Sequence, residues 1–497
     1  MRNLIAALDQ GTSRSKCVLF DDELNLVRYS QAEVPLILGP NGEIEQSPAD
    51  ILDSALTVLR NITSSLGSGE KIEKIGITNQ RETFLLWDRD TGMPLHNAIL
   101  WEDRRTDALC ADLRKKYGAF IKERTGLIPD AYFSASKIRW LLDRNPDLMA
   151  MAKKGKIACG TVDSWLLWNL TGRKVHATDH TNASRTMLFN IDRLDWDSEL
   201  LAIMGIPSEI LPELHESCYE YGETSAEILG SEIPLTALIG DQQSSMFGHF
   251  LGKNGDTKIT YGSGAFLMQS TGEHRVKAER LLETVLVSRR GERSYALEGP
   301  VFWAGKLLDF LASLSGSSVA KPESADPMRI FRNFPPSILV PSIEGIGAPY
   351  WQNIAGGSIF GLRAKSRTQD LMDSALASIA LQVNDIIEEL NSMGRKPDEI
   401  MVDGGLALNR SLMDFQSSVS GISLKTGSEP HIVTARGAAS LASGFTGNRE
   451  LKGTSYKAVL SSSTDRKIKS LIRLWKMSVS LAIQFNNAAL DADMGNL

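Results

Sequence analysis

The chain has 497 residues, of which 42% are hydrophobic and 23% are charged. These fractions match those of folded soluble proteins and exclude a disordered chain, and the length excludes one small module. The formal net charge of -6 excludes a broadly basic surface for nucleic acid or an anionic membrane, although a local site for a small anion is still allowed. At about 150 residues per domain, the length predicts two to four domains.

The four cysteines indicate neither a disulfide framework nor a zinc site. They are widely scattered and include no C-x-x-C pair, which favours a reduced compartment. No uncharged apolar run reaches the roughly 18 residues of a membrane helix, and the apolar start of the chain is too short for a signal peptide. We therefore predict a cytoplasmic protein without stable membrane insertion and without a nucleic-acid partner.

The N-terminal part of the chain predicts a β-rich segment, then a helix and a further strand. Short apolar runs separated by turn residues are typical of strands. After Ser47-Pro48, apolar residues at spacings of three and four indicate a helix with one buried face. The predicted strands are 4–8, 10–15, 17–20, 24–29 and 72–78, and the predicted helix is 49–66.

A later segment repeats the β-rich pattern of residues 7–20, with the turn 262–264 between two short strands. Farther on, a long helix with a buried face precedes a strand that ends at the turn 403–405. Glycine is concentrated at 248–256, which predicts a domain boundary there. The predicted strands are 258–261, 265–269 and 399–402, and the predicted helix is 371–390.

Motifs that define several common enzyme classes are absent from the sequence. It has no G-x-x-x-x-G-K-[ST] phosphate loop, G-x-G-x-x-G, H-E-x-x-H, G-x-S-x-G or protein-kinase H-R-D set. Their absence excludes the simplest NTPase, dehydrogenase, zinc-protease and lipase-like readings. The remaining chemistry lies in carboxylates and in glycine- and hydroxyl-rich turns at strand ends.

The first of these turns follows the opening strand. Asp9 ends an apolar run, and the Gly-Thr-Ser turn 11–13 precedes Arg14 and Lys16. Such a carboxylate is suited to orient a hydrated magnesium ion, and such a turn offers N–H and hydroxyl groups to phosphate oxygens. The alternative is a plain hairpin whose turn residues satisfy their own backbone.

Residues suited to a neutral polyol also occur in the first half. A polyol is bound by a carboxylate and a guanidinium that contact hydroxyls and by aromatic faces that cover C–H edges. Arg81, Glu82, Trp101 and Tyr132 offer such a set; the alternative is an exposed Arg–Glu pair and a core tryptophan. Asp241 follows an apolar run just before the predicted boundary, and it is either a base or a helix-capping residue.

Eleven motifs, taken in order, carry a specific resemblance. They are ALDQGTS, GITNQRET, WEDRRT, PDAYFSASKIRWLLD, GTVDSWLLW, TNASRTMLFNI, GDQQ, TYGSGAF, YALEG, GIGAPYW and VDGGLALN. In this order they resemble the FGGY family of carbohydrate kinases, in particular its glycerol kinases, from about residue 5 to residue 444.

The resemblance implies an α/β fold with two ribonuclease H-like, actin-type ATPase domains, residues 1–248 and 249–497, around a central cleft. It also implies phosphoryl transfer from ATP, with Mg²⁺, to the terminal hydroxyl of glycerol, giving sn-glycerol 3-phosphate and ADP. Members of the family often form homo-dimers or homo-tetramers, so the same is expected of this chain.

The resemblance further implies roles for individual residues. Asp241 is the expected general base, and Asp9 the expected magnesium-orienting carboxylate. The expected substrate-binding residues are Arg81, Glu82, Trp101, Tyr132, Asp241, Gln242 and Phe266. The expected nucleotide-binding residues are Thr12, Ser13, Arg14, Lys16, Ser263, Gly305, Asp309, Gly405 and Asn409.

The chain departs from the family pattern at several of these motifs. Glu102 and Asp103 replace a Gln-Cys pair and, if they point inward, change the charge of the substrate pocket. Asp309 replaces a glutamine near the nucleotide, Ser263 a threonine, and Arg436 an apolar residue beside a glycine. Two alternatives remain open at this point: a kinase of the same family for another polyol or ketose, and an actin-like nucleotide-switched module.

Overall fold

The computed structural model of the protein describes residues 2–315, 324–332, 334–352, 356–445, 453–457 and 462–494. Within these ranges the chain forms two large mixed β-sheets packed against helices, which confirms the predicted α/β class. The N-terminal sheet has the strand order Cys218–Glu223, Pro234–Gly240, Glu70–Asn79, Arg2–Gln10, Arg14–Phe20, Leu26–Glu33. The C-terminal sheet has the order Leu282–Arg289, Glu292–Val301, Ala265–Gly272, Thr257–Tyr261, Glu399–Asp403, Ser423–Gly427, Gly453–Tyr456.

The two sheets share the same strand pairing at their centres. In the first, Arg2–Gln10 pairs antiparallel with the next strand along the chain and parallel with Glu70–Asn79. In the second, Thr257–Tyr261 pairs antiparallel with Ala265–Gly272 and parallel with Glu399–Asp403. The predicted internal repeat is therefore confirmed. Below, the N-terminal half means residues 2–248 and the C-terminal half means residues from 257 onward.

The remaining elements are short strands and the helices. The short strands are Ile37–Leu38, Ile44–Gln46, Phe84–Asp88, Ala98–Ile99, Ile157–Thr161, Ala177–Asp179, Phe189–Asn190, Asp195–Trp196, Glu213–His215, Ile338–Val340 and Ser358–Phe360. The α-helices are Pro48–Ser64, Asp107–Thr125, Ser134–Arg144, Pro146–Lys153, Val162–Leu170, His180–Ala183, Ser198–Met204, Ala226–Leu229, Asp241–Gly248, Gly305–Ser315, Thr368–Ser392, Arg410–Ser420, Val433–Ser443 and Ser462–Met494. The 3₁₀-helices are Ser208–Ile210, Pro327–Phe331 and Gly405–Leu408. No helix in the described ranges is long and apolar enough to cross a membrane.

One predicted element is wrong. The sequence predicted a separate strand at 10–15, but these residues contain the turn between two longer strands, where the Gly11 N–H donates to the Arg14 carbonyl at 3.0 Å. The hairpin register pairs Gln10 with Ser15. The first strand therefore runs on to Gln10 and the second begins at Arg14, and the turn itself is available for binding.

The two halves meet where the helices Asp241–Gly248 and Val433–Ser443 cross. A Cβ on Gly437 would lie 1.8 Å from the Ser244 carbonyl oxygen, and one on Gly248 would lie 1.8 Å from the Val433 carbonyl oxygen. Only glycine permits backbones to approach this closely. This crossing fixes the position of Asp241, which begins one of the two helices.

Candidate active site

Neighbouring parallel strands end at the same edge of the N-terminal sheet. Gln10 lies opposite Asn79, and Asn79 lies opposite Gly240. The segments that follow these strands therefore leave from one edge, which is where α/β sheets bind ligands. This register brings the turn 11–13, the segment that carries Arg81 and the start of the helix at Asp241 to the same place.

Asp241 lies at the centre of this edge. Its Oδ1 accepts a hydrogen bond from the Gln242 backbone N–H at 2.7 Å and lies 3.2 Å from the Arg81 Nε. Gly240, not Asp241, is the N-cap residue of the helix. Burial raises the pKa of Asp241, whereas the charges of Arg81 and Lys258 oppose that rise. With 28% of its side chain exposed, Asp241 is a carboxylate that a small molecule can reach.

Arg81 and Glu82 are buried, so the alternative of an exposed pair is wrong. Each is only 2% exposed. Two nitrogens of Arg81 bind Glu298 at 2.7 and 3.0 Å, and one of them lies 3.3 Å from the Tyr132 hydroxyl. Arg185 donates to Glu82 at 2.6 Å and to Glu298 at 3.0 Å. These contacts form a buried quartet of alternating charges that includes two of the predicted substrate-binding residues.

Aromatic rings from both halves of the chain surround this polar cluster. The ring of Trp101 lies 5.8 Å from that of Tyr132 and 5.8 Å from that of Phe266, edge to face in both cases. Phe302 adds a further contact, 5.5 Å from Tyr132. The Trp101 Nε1–H donates to the Thr12 hydroxyl at 3.0 Å, which connects the aromatic walls to the first turn.

All seven predicted substrate-binding residues therefore lie in one contact network. The sequence reasoning missed four residues that complete it, namely Arg185, Lys258, Glu298 and Phe302. Arg185 lies in TNASRTMLFNI, Glu298 in YALEG and Lys258 directly before TYGSGAF. For Arg185, Lys258 and Glu298, the signal that could have found them is a charged residue within or beside a motif that packs in the core, because a buried charge needs a partner. Phe302 carries no such signal.

The predicted phosphate turn lies beside the network. Ser13 and Arg14 are exposed, and the Lys16 ammonium donates to the His431 carbonyl of the C-terminal half at 2.9 Å. Asp9 is 9% exposed, and burial raises its pKa to about 6. Among the described residues, none donates a hydrogen bond to the Asp9 carboxylate, so it is available to a cation or to water.

In the C-terminal half, the predicted nucleotide residues gather only in part. The Ser263 carbonyl accepts from the Ala304 N–H and the Gly262 carbonyl from the Gly305 N–H, both at 2.9 Å. The glycine turn at Gly404, with φ 88°, packs on the Tyr261 carbonyl, where a Cβ would lie at 2.3 Å. The turns at Ser263, Gly305 and Gly404-Gly405 therefore adjoin one another.

The two remaining predicted nucleotide-binding residues of the C-terminal half are Asp309 and Asn409. Asp309 is exposed on the helix Gly305–Ser315. The Asn409 side chain caps a helix, because its Oδ1 accepts from the Leu412 N–H at 3.0 Å. In the described part of the chain, no hydrogen bond joins either side chain to the Ser263 turn.

The departures from the family pattern have identifiable partners. Glu102 forms an ion pair with Lys306 of the C-terminal half at 2.7 Å. Asp103 is fully buried and accepts from the Ile44 N–H and from Arg105, both at 2.7 Å. Arg436 is buried and donates to Glu429 at 2.6 Å. Of the two extra carboxylates near the pocket, therefore, only Glu102 lies at its wall, and there a cation balances it.

Comparison with known proteins gives matches along most of the chain. The N-terminal domain profile of the FGGY family of carbohydrate kinases matches residues 4–248, and the C-terminal domain profile matches residues 257–444. The glycerol kinase of Shewanella sp. (strain ANA-3) is 40% identical over 474 residues, which cover 92% of this chain and 94% of that protein.

Solved structures of the same family also match. The glycerol kinase of Plasmodium falciparum, solved with ADP, has a TM-score of 0.83 and 31% identity, with 96% of this chain and 98% of that chain covered. The gluconate kinase of Lactobacillus acidophilus has a TM-score of 0.85 at 19% identity, with 98% and 100% covered. The second match shows a shared fold alone, so the substrate has to be argued from the site.

Proposed function

This chain belongs to the FGGY family of carbohydrate kinases, and we propose that it transfers the γ-phosphoryl group of ATP to the terminal hydroxyl of glycerol. The products are sn-glycerol 3-phosphate and ADP. One observation carries the proposal. The partly exposed carboxylate of Asp241, the guanidinium of Arg81, which Glu298 fixes in place, and three aromatic rings meet in one network, as a small polyol requires. The names of the relatives at about 40% identity support it.

The charge of the network favours a neutral substrate. The buried cations Arg81, Arg185 and Lys258 face the carboxylates Glu82, Glu298 and Asp241. Lys258 also faces the carboxylate of Asp403, so the carboxylates are at least as many as these cations and no surplus cation is left to pair with a sugar acid. A neutral polyol instead exchanges hydrogen bonds with these groups without adding an uncompensated buried charge.

In the proposed reaction Asp241 is the general base. It accepts the proton of the terminal hydroxyl as that oxygen forms a bond to the γ-phosphorus, and the bond from the γ-phosphorus to the ADP oxygen breaks. Arg81 is held rigidly by Glu298 and orients the hydroxyls, while Trp101 and Phe266 cover the carbon edge. Phosphoryl transfer depends mainly on such positioning and on charge stabilisation.

For the nucleotide, we assign phosphate contacts to the turn that follows Asp9 and base or ribose contacts to the C-terminal turns. The assigned residues are Thr12, Ser13, Arg14, Lys16, Ser263, Gly305, Asp309, Gly405 and Asn409. Asp9 fits a role in orienting hydrated Mg²⁺, because its carboxylate is desolvated and free of donors, and Mg²⁺ commonly needs only one or two carboxylates beside the phosphates. The ion supplies charge neutralisation on the phosphate oxygens.

Three further assignments accompany the proposal. The family profiles at 4–248 and 257–444 support a domain division into residues 1–248 and 249–497. We also assign a cytoplasmic location and a homo-dimeric or homo-tetrameric state. Size-exclusion chromatography with light scattering tests the last of these.

The test of the function is a substrate panel. The purified protein is expected to form ADP from ATP with glycerol at a kcat/KM at least about 100-fold above that with xylulose, ribulose or erythritol, since a site matched to one polyol loses buried contacts with another. Turnover of a pentulose but not of glycerol would contradict the substrate. Equal ATP hydrolysis with and without glycerol would instead favour an actin-like switch.

A second prediction concerns the ion pair between Glu102 and Lys306. These residues are 9% and 19% exposed at the side chain, the Lys306 ammonium lies 4.4 Å from the Trp303 ring centre, and the pair joins the two halves beside Trp101. Lys306→Met is expected to raise the KM for glycerol roughly 3- to 10-fold and to reduce its dependence on salt, because partly buried pairs are only partly screened.

The control for this prediction is Lys277→Met. Lys277 pairs with Glu123 at 2.7 Å, but both side chains are more than half exposed. The KM for glycerol of this control should stay within about 2-fold of the unchanged protein at every salt concentration. If both lysine variants behaved alike, the Glu102–Lys306 pair would have no role in closing the substrate pocket.

A further inference from the structure

Lys258 is a buried lysine in contact with the proposed catalytic residues. It lies on the strand Thr257–Tyr261 of the C-terminal half and is 0% exposed. Its Nζ donates to the Gln242 Oε1 at 2.5 Å and to the Thr260 hydroxyl at 2.6 Å. Burying an ammonium costs free energy unless it is paired and hydrogen-bonded. Packing alone therefore does not explain why a lysine occupies this position beside Gln242.

The contact determines which way the Gln242 amide points. An ammonium group only donates hydrogen bonds, so it must face the amide oxygen and not the NH₂ group. The Gln242 Nε2 then points to the other side, where it donates to the Asp241 Oδ2 at 3.3 Å. Its second proton is available to an oxygen of the substrate. A reversed amide would offer Asp241 an oxygen and would repel the carboxylate.

The charged groups around Lys258 include the proposed base, Asp241. The carboxylates of Asp403, Asp241 and Glu298 attract its ammonium, and Arg81 repels it. Asp403 in turn accepts hydrogen bonds from the Ser245 hydroxyl and His249. Lys258 is thus the cation of the C-terminal half that faces both the base and the strand end at the glycine turn.

We propose that Lys258 is a positioning residue for phosphoryl transfer: its ammonium orients the Gln242 amide toward the substrate hydroxyl, and its charge balances the Asp241 carboxylate. This inference rests on the proposed function. Burial raises the pKa of Asp241, and Lys258, after Arg81, opposes that rise. Burial lowers the pKa of Lys258 itself to about 8, so it carries its charge at neutral pH.

The experiment compares Lys258→Met and Lys258→Arg with the unchanged protein in glycerol-dependent turnover from pH 5 to 9. Lys258→Met removes the donor and the charge. We expect its KM for glycerol to rise about 10-fold, because Gln242 loses its orientation. Loss of a nearby cation raises the pKa of Asp241. Because Asp241 accepts a proton only in its deprotonated form, the acid limb of kcat should move to higher pH by roughly 0.5–1 pH unit. Lys258→Arg keeps a donor and a charge and should retain the original acid limb.

A matched control separates this role from a structural one. Lys137 is equally buried and donates to the Leu100 carbonyl at 2.5 Å and to the Tyr132 carbonyl at 3.4 Å. In the described part of the chain no hydrogen bond or ion pair joins it to Asp241 or Gln242, so Lys137→Met should lower thermal stability and leave the acid limb in place. ADP affinity, measured by calorimetry, should stay within about 2-fold in Lys258→Met. If Lys258→Met is insoluble, Lys258→Gln replaces it and tests the charge alone.

The outcomes distinguish the two proposals. If the unchanged protein does not phosphorylate glycerol, the proposed function fails. If it does, but Lys258→Met keeps the acid limb and the KM for glycerol of the unchanged protein, only the role of Lys258 is overturned. The same conclusion follows if Lys258→Met and Lys137→Met shift the acid limb equally, since the effect would then belong to any buried lysine.

Discussion

Asp241→Asn is expected to lower kcat for glycerol by about 10²–10⁴-fold, the usual contribution of a general base. The amide has nearly the same shape as the carboxylate and can keep the contact with the Gln242 N–H, but it cannot accept the proton of the attacking hydroxyl. ADP affinity should change little, because Asp241 contacts the substrate side. Initial-rate kinetics and calorimetry with ADP measure the two effects separately.

The pH dependence provides a second check on the base. Burial raises the pKa of Asp241 above 3.8, and only the deprotonated form accepts a proton. The kcat of the unchanged protein should therefore fall as the pH falls through this raised pKa. The residual activity of Asp241→Asn should lack that acid limb, since the titrating group is gone. An acid limb that persists in the variant would assign it to another group.

Asp163→Asn is the matched control for this substitution. Asp163 is a fully buried carboxylate, and burial raises its pKa to about 7. It accepts hydrogen bonds from the hydroxyls of Thr161 and Thr178, at 2.5 and 2.6 Å, and among the described residues no hydrogen bond or ion pair joins it to a proposed site residue. Its kcat should stay within about 2-fold of the unchanged protein. A loss of similar size in both variants would remove Asp241 as the base.

The ordered motifs predicted most residues of the candidate site. They did not predict which charged residues form its ion pairs. Arg81 and Glu82 follow one strand and Asp241 follows another, and the register of parallel strands brings such positions together. The partner of Arg81, however, is Glu298, which is 217 residues away in the chain. No local pattern encodes a pairing over that separation, since it depends on how the two halves dock.

Two local predictions illustrate the same limit. The sequence predicts a separate strand at 10–15, but hydrogen bonding across the hairpin makes residues 11–13 its turn. Asn409, which we assign to the nucleotide site, also caps the helix Arg410–Ser420 with its side-chain oxygen, and its motif does not reveal that contact. In both cases the folded chain makes a hydrogen bond that the local sequence pattern does not indicate.

Glu298→Ala is expected to have the largest effect on stability, a loss of about 3–5 kcal/mol in the free energy of unfolding at pH 7, because it removes the carboxylate that two buried guanidinium groups share. Arg81 and Arg185 are 2% and 0% exposed, so both guanidinium groups lose this partner away from bulk water. Arg81 also loses both of its shortest hydrogen bonds, and the KM for glycerol should rise at least about 10-fold. Urea denaturation and initial-rate kinetics measure these changes.

The control is Glu123→Ala, at the exposed pair with Lys277, where the loss should be about 0–1 kcal/mol.

Burial alone would raise the pKa of Glu298, but Arg185 and Arg81 outweigh it and hold the pKa below its ordinary value of 4.5. Stability gained from such a carboxylate is present above pH 4.5 and lost as the pH falls through the lower folded-state pKa. The difference in the free energy of unfolding between Glu298→Ala and the unchanged protein should therefore become smaller at acid pH. A gap that stayed constant down to pH 3, or one no larger than that of Glu123→Ala, would mean that Glu298 does not hold the arginines by its charge.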